Sequence, residues 1–297
     1  MLENINHYIS EWLKCNNDFL RTLKINLRHK KKKNIIYDKN FVREVHEESA
    51  PVFILSTGRC GTKYLTEIFK LFTCLDVHHS TKPELIYYSK YAYENNDTSL
   101  DELKHIIDAS RLERIQETYM RNRIYIETNN RITFFAYALA DLYPKSKFIH
   151  LVRHPGDFVR SGILRNWYSG EDNHNQGRIV PKNPQTHWDE FSNIEKISWL
   201  WNETNQFIEI FKQKLNDRSR ILTVKAENLF GNKEEIIKTL DFMSVFVTDN
   251  KIFKRELNKK VNAQRKSNYP NYQSWEQNDK DSLQKQIKIN DIYNYSI

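Results

Sequence analysis

The sequence predicts an α/β fold, because short apolar runs alternate along it with segments of helical periodicity. The runs at 51–55, 124–127, 147–152 and 220–224 each stop at turn-forming, polar or charged residues, as buried strands do. Between them, apolar residues recur at three- and four-residue spacing, as in Leu65, Ile68, Phe69 and Phe72, the mark of a helix with one buried face. The chain of 297 residues is long enough to bury a substantial core.

Residues 1–50 form a lead segment apart from the domain expected over 51–297. Ile5, Tyr8, Ile9 and Trp12 share one face of a helix over 2–27, and the basic run Arg28-His-Lys-Lys-Lys-Lys33 and a polar link follow. The first strand, 51–55, ends at Ser56, Thr57 and Gly58, and the helix carrying Leu65 comes after. Residues 75–123 are polar and mixed, with helical character around 100–120. The strand at 124–127 leads through Glu127-Thr-Asn-Asn130 into a helix with Phe135, Leu139 and Leu142, which Pro144 stops. Residues 147–152 form a strand with Arg153 at its carboxyl end. Pro155 then opens a helix where its missing N–H costs nothing, and Ser161 lies two turns along.

Gly170, Gly177, Pro181 and Pro184 punctuate a long irregular stretch at 167–188, of the sort that is either disordered or a functional lid. Ile194, Ile197, Trp201, Ile208, Phe211 and Leu215 then make a stripe broken only near Asn205, which predicts a core-facing helix. The strand at 220–224 follows.

The chemistry concentrates at Gly58-Arg-Cys-Gly-Thr-Lys63, between the first strand and its helix. Gly58 and Gly61 permit a sharp turn and let a ligand approach the main chain, while the free N–H groups at the helix start favour an anion. The loop is not of the ATPase kind. That loop spaces its glycines by four residues and places Lys directly before Ser or Thr, so that the hydroxyl can hold Mg²⁺. Here only Arg59 and Cys60 separate the glycines, and the order is Thr62-Lys63. A loop this short suits one terminal phosphate or sulfate group. Ligands of open α/β sheets collect at the carboxyl ends of strands, so Arg59 and Arg153 are expected to face one crevice, where a guanidinium holds phosphate through paired hydrogen bonds.

These two segments, in this order and each after a strand, resemble those of sulfotransferases that use 3′-phosphoadenosine 5′-phosphosulfate (PAPS) and release 3′-phosphoadenosine 5′-phosphate (PAP). The resemblance implies a three-layer α/β/α sandwich with a mainly parallel sheet, a P-loop-like fold. It makes Gly58-Arg-Cys-Gly-Thr-Lys-Tyr64 the 5′-phosphosulfate loop and Arg153 with Ser161 the 3′-phosphate site. Arg59 then takes the basic position that steadies the bridging and sulfuryl oxygens. Gly61, Thr62 and Lys63 supply N–H groups and a hydroxyl, Cys60 belongs to the same cradle, and Tyr64 stands where an aromatic meets adenine. Gln264-Arg-Lys-Ser267 before Trp275 resembles the family's late basic segment, with Arg265 and Lys266 touching the nucleotide and Ser267 where Gly is usual. Lys225-Ala-Glu-Asn-Leu229 resembles the turn after the last core strand.

Sulfuryl transfer also needs a base for the acceptor's proton. Asp76-Val-His-His-Ser-Thr-Lys-Pro-Glu84 supplies two candidates, His79 and Glu84. His79 falls about where the resemblance places the base, and it is narrowly favoured. Many bacterial members have His-Glu-Pro where this chain has His79-Ser80-Thr81, so a catalytically silent PAP-binding protein is one alternative, and a nucleotide-dependent kinase is a weaker one. The acceptor is a hydroxyl or amine on a small molecule or glycan. Trp167, Tyr168, His174, Arg178 and Trp188 would suit a sugar or anionic glycan, and a phenol or a peptide tyrosine nearly as well.

The net charge of +8 invites a nucleic-acid reading, but no zinc-finger, RRM or homeodomain pattern accompanies it. Cys15, Cys60 and Cys74 are too few and scattered for a disulfide framework, and they fit a reducing compartment. His78 and His79 lack a third ligand at a sensible spacing, so no metal is expected. With no long apolar run and no signal-peptide pattern, the expectation is a soluble cytoplasmic protein.

Overall fold

The structure is a computed structural model that describes residues 38–96, 99–170, 175–183, 187–246 and 269–297. The expected helix over 2–27, the basic run at 28–33, Cys15, His174, Pro184, Arg265, Lys266 and Ser267 lie outside the described residues.

Five strands form the sheet: β1 (Val52–Leu55), β2 (Leu75–His78), β3 (Ile124–Glu127), β4 (Lys147–Val152) and β5 (Ile221–Lys225). Their order is β2-β3-β1-β4-β5, and every neighbouring pair is parallel. Alternation along β1 sends its side chains to two separate cores. Val52 and Ile54 pack with Ile149 and Leu151 of β4 and with Leu65, Ile68 and Phe69 of α2 (Thr62–Phe69). Phe53 and Leu55 pack on the other face with Phe148, Phe135 and Phe211. The sheet is therefore the middle layer of a three-layer α/β sandwich, the predicted fold class.

The remaining helices are α1 (Lys39–Glu48), α3 (Ile86–Glu94), α4 (Leu100–Met120), α5 (Ala136–Leu142), α6 (Pro155–Ile163), α7 (Asn193–Lys214), α8 (Ala226–Leu229), α9 (Lys233–Phe242) and α10 (Gln277–Gln286). Five of them were not expected from the sequence: α1, α3, α9 and α10, and the four-residue α8, where the sequence suggests a turn. A polar link was expected where α1 stands, yet Asp38 caps it by accepting from the Asn40 N–H, and Val45 is fully buried in the shared core. In α3 only Ser89, Ala92 and Tyr93 are buried, and α10 buries Leu283 alone, so neither shows an apolar stripe. The strand β2 was also missed. It lies at the sheet edge with the mixed sequence Leu-Asp-Val-His, and only Leu75 is fully buried.

The long helix α7 resolves the break in its stripe. Asn205 is buried and bonds His150 Nε2 of β4 at 2.9 Å and the Trp201 carbonyl at 2.7 Å. Trp201 in turn donates its indole N–H to the Arg153 carbonyl at 2.8 Å, fixing the backbone where β4 ends. At α7's start, Ser192 and Glu195 form a reciprocal cap.

From β1 the chain winds outward to β2 and back through β3, then crosses to β4 and continues to β5. The winding reverses between β1 and β4, which opens a crevice outside their carboxyl ends. Arg59 follows β1 and Arg153 follows β4.

A buried ion pair fixes the neighbouring wall of that crevice. Arg111 of α4 and Glu127 at the end of β3 both have fully buried side chains. Arg111 Nε donates to Glu127 Oε2 at 2.7 Å, Nη2 donates to Oε1 at 2.9 Å, and the Tyr125 hydroxyl donates to Oε2 at 2.9 Å. Removing the guanidinium leaves a buried carboxylate without its cation. Arg111→Met is expected to cost about 3–5 kcal/mol in urea unfolding, and adding Glu127→Gln recovers part of that loss by removing the stranded charge.

Candidate functional site

The turn after β1 is built from left-handed residues. Gly58, Arg59 and Gly61 have φ of 78°, 57° and 95°. A Cβ on Gly61 would stand 3.2 Å from the Phe230 ring, so two constraints demand glycine there. Side chains replace the missing strand partners at the end of β1. The Ser56 N–H donates to Thr133 Oγ1, and the Thr133 hydroxyl donates back to the Ser56 carbonyl, each at 3.0 Å. Gly61 has no side chain to cap α2, so the first N–H groups of that helix are left for an anion.

Three guanidiniums converge behind the turn. Arg153 Nη1 donates to the Arg59 carbonyl at 3.0 Å, and Arg59 Nε donates to Ser161 Oγ at 3.3 Å. Arg165, one helical turn beyond Ser161, donates from Nη1 to the Ser161 carbonyl at 2.8 Å and to its Oγ at 3.0 Å. The loop arginine, Arg153 and Ser161 are thus brought together as the sequence predicts. Arg165 was missed, although its i, i+4 spacing from Ser161 was a readable signal. Burial and repulsion from Arg165 and Arg153 push the Arg59 guanidinium down to about 10. Among the described residues the only carboxylate ion-paired with any of the three is Asp157, 3.7 Å from Arg153. Such an excess of positive charge at a strand-end crevice fits a multiply charged anion.

Other loop positions behave differently. Cys60 is fully buried, with its thiol 3.1 Å from both Thr57 Oγ1 and the Gly58 carbonyl, and burial pushes it up to about 11. Its side chain braces the turn, leaving only its backbone to face a ligand. Tyr64, the expected adenine contact, is only 2% exposed and packs against Phe230 at 5.0 Å. The accessible ring beside the loop is Phe230, which is 51% exposed.

His154, next to Arg153, caps α6 by accepting from the Gly156 N–H at 3.2 Å. The His154 backbone N–H donates to Glu227, which also accepts from the Tyr295 hydroxyl. The described segment after 268 is tied to the same helix, since Arg160, adjacent to Ser161, donates to the Tyr269 and Pro270 carbonyls.

The two base candidates part company. Glu84 Oε1 lies 2.5 Å from Lys82 Nζ, so its carboxylate is already engaged by a cation. His79 follows β2 and places Nδ1 2.8 Å from the Thr128 hydroxyl at the end of β3. Burial, and next the nearby Lys63 charge, hold the His79 imidazole below its ordinary value, so it is neutral at pH 7. His78 instead stacks on Tyr125 at 4.7 Å. Among the described residues no group of three or more His, Cys, Asp or Glu side chains could hold a metal ion.

The aromatic residues expected to serve an acceptor are largely spent on packing. Trp167 is buried against Phe158 and lies under the Arg178 guanidinium at 4.0 Å, while Trp188 packs on Tyr168 and Trp199. A polar cleft at the carboxyl end of β1, lined by Ser56, Thr57, Asn130 and Arg131, has about 30 Å³ of free volume, room for a water molecule or two. Among the described residues no helix is long and apolar enough to cross a membrane.

The electrostatic account of His79 is open to direct titration. Its imidazole resonances are expected to titrate below the unperturbed value of about 6.5, and Lys63→Met raises the midpoint because a repelling cation is gone. An unchanged midpoint in that variant would remove Lys63 from the account.

No family model matches the sequence, and no curated relative matches it. Solved structures that resemble the fold include the sulfotransferase domain from the curacin biosynthetic pathway, 15% identical over 84% of this chain and 99% of that one, with a TM-score of 0.48. Another is the sulfotransferase domain from the olefin synthase of Synechococcus PCC 7002, 17% identical over 84% and 97%, with a TM-score of 0.47. A third is a sulfotransferase from Mycobacterium avium, 10% identical over 78% and 71%, with a TM-score of 0.42.

Proposed function

We propose that this protein is a sulfotransferase that takes PAPS as donor and passes its sulfuryl group to a hydroxyl or amine. The observation that carries this reading is the cluster behind a short left-handed loop in which Arg59 and Arg165 both meet the Ser161 hydroxyl and Arg153 holds the Arg59 carbonyl. A 3′-phosphate dianion suits Arg153, Arg165 and the Ser161 hydroxyl, because cations with convergent donors bind phosphate more strongly than neutral groups do. The N–H groups at the start of α2 suit the 5′-phosphosulfate. Phe230, backed by Tyr64, offers its ring to adenine.

When bound, PAPS supplies an activated sulfuryl group. Arg59 and the loop N–H groups then face the oxygen on which charge gathers as the sulfur–oxygen bond breaks, with its electron pair staying on the 5′-phosphate of PAP. His79, neutral at pH 7, takes the proton that the acceptor loses as its new bond to sulfur forms.

Calorimetry tests the donor site. PAP is expected to bind without Mg²⁺, and Arg153→Ala or Arg165→Ala each to weaken it by about 10–100-fold, the worth of a charge-assisted hydrogen bond. Tight binding of Mg-ATP with none of PAP would sink the assignment. Turnover of PAPS is expected to fall by about 10²–10⁴-fold in His79→Ala with PAP affinity kept. Equal turnover in the two proteins would remove His79 from the reaction.

A further inference from the structure

His79 does not stand alone at the crevice. Its Nδ1 lies 2.8 Å from Thr128 Oγ1, which lies 2.7 Å from Thr66 Oγ1 on α2. The Thr66 hydroxyl is 2.8 Å from the Thr62 carbonyl, and Thr128 Oγ1 is 3.2 Å from the His78 carbonyl. Each hydroxyl has one proton to give, and a carbonyl has none. Those limits decide how the chain is oriented.

If Thr66 donates to the Thr62 carbonyl, its contact with Thr128 needs the Thr128 proton. Thr128 then has nothing left for the imidazole, and His79 Nδ1–H must be the donor. This arrangement satisfies all three short contacts. It leaves out only the longest, to the His78 carbonyl, which already accepts the Thr128 N–H at 2.9 Å. The opposite arrangement, with Thr128 donating to Nδ1, requires Thr66 to donate to Thr128 and abandons the contact at the Thr62 carbonyl. Thr128 donating to the His78 carbonyl instead leaves Nδ1–H on Thr128 but costs one of the two Thr66 contacts.

We infer that Thr128, oriented by Thr66, is a positioning residue that holds His79 as the Nδ1–H tautomer with the Nε2 lone pair available. The inference rests on His79 being the base of the proposed transfer, and it adds the reason His79 can act as one. With the tautomer reversed, Nε2 would carry hydrogen and could not accept the acceptor's proton. Once Nε2 gains that proton, Nδ1–H still donates to Thr128, so the contact persists from the neutral imidazole to the cation. The anchor also ties the base to α2, the helix that begins at the phosphate-binding turn.

The test uses the full chain with PAP bound, labelled with ¹⁵N histidine, the His79 signals being assigned by their loss in His79→Gln. Long-range ¹H–¹⁵N spectra of the wild type near pH 8 are expected to show His79 protonated at Nδ1 and bare at Nε2. Thr128→Ser keeps that pattern, whereas Thr128→Val shifts it toward Nε2–H or a mixture. In parallel, conversion of PAPS to PAP with water as acceptor is expected to fall about 10-fold in kcat for Thr128→Val, within the range of a proton-transfer contribution, with PAP affinity unchanged and Thr128→Ser near wild type. A wild-type His79 protonated at Nε2, or a Thr128→Val protein with the wild-type tautomer, overturns the inference, and the wild-type spectrum decides even if the valine variant does not fold. The expected tautomer together with undiminished conversion in His79→Gln overturns the base assignment and the role of Thr128 with it. Failure of PAP to bind the wild type is a separate result, which counts against the donor reading.

Discussion

The crevice depends most on the pairing of Arg111 with Glu127. A carboxylate at the end of β3 would be costly to bury alone, and the guanidinium meets both of its oxygens while Tyr125 adds a third hydrogen bond. Arg111 has donors to spare, and Nη1 uses them on the carbonyls of Ser110 and Pro83. One side chain thereby connects α4, the end of β3 and the segment that leaves His79. Thr128 is the residue after Glu127, so the ion pair also sets where the imidazole finds its hydroxyl. Position at this wall comes from the interior outward.

Much of the fold was legible because central parallel strands must be apolar on both faces. Residues 52–55, 124–127 and 147–152 are such strands, and the sequence marks each as a mostly apolar run, broken inside β4 only by the buried His150. The edge strand β2 carries Asp76 and His78 and lacks that mark. Helices α3 and α10 were hidden for a related reason, since each buries few residues and its sequence carries no stripe. Helix α1 escaped differently: a single fully buried residue, Val45, seats it on the core, and the flanking polarity reads as a linker.

The site divides along the same line. Arg59, Arg153 and Ser161 were readable because local pattern places each at a strand end or on the helix that follows. Tyr64 had the right position and the wrong direction, since α2 turns its ring inward and only tertiary packing reveals that Phe230 covers it. The surroundings of His79 and Glu84 were beyond the sequence as well: His79 meets Thr128 and Glu84 meets Lys82, and neither pairing has a periodicity to announce it.

The crowd of guanidiniums around Ser161 has a consequence for how the protein keeps its shape. Burial first, and then repulsion from Arg165 and Arg153, depresses the Arg59 guanidinium, and that cost opposes folding when no anion offsets it. The same arrangement strengthens the hold on any anion that enters, so affinity and intrinsic stability pull against each other at one cluster. Substitutions that relieve the crowding would make a sturdier scaffold with a weaker hold on anions. Any anion that binds the cluster adds back stability by mass action, in proportion to how far its concentration exceeds its dissociation constant.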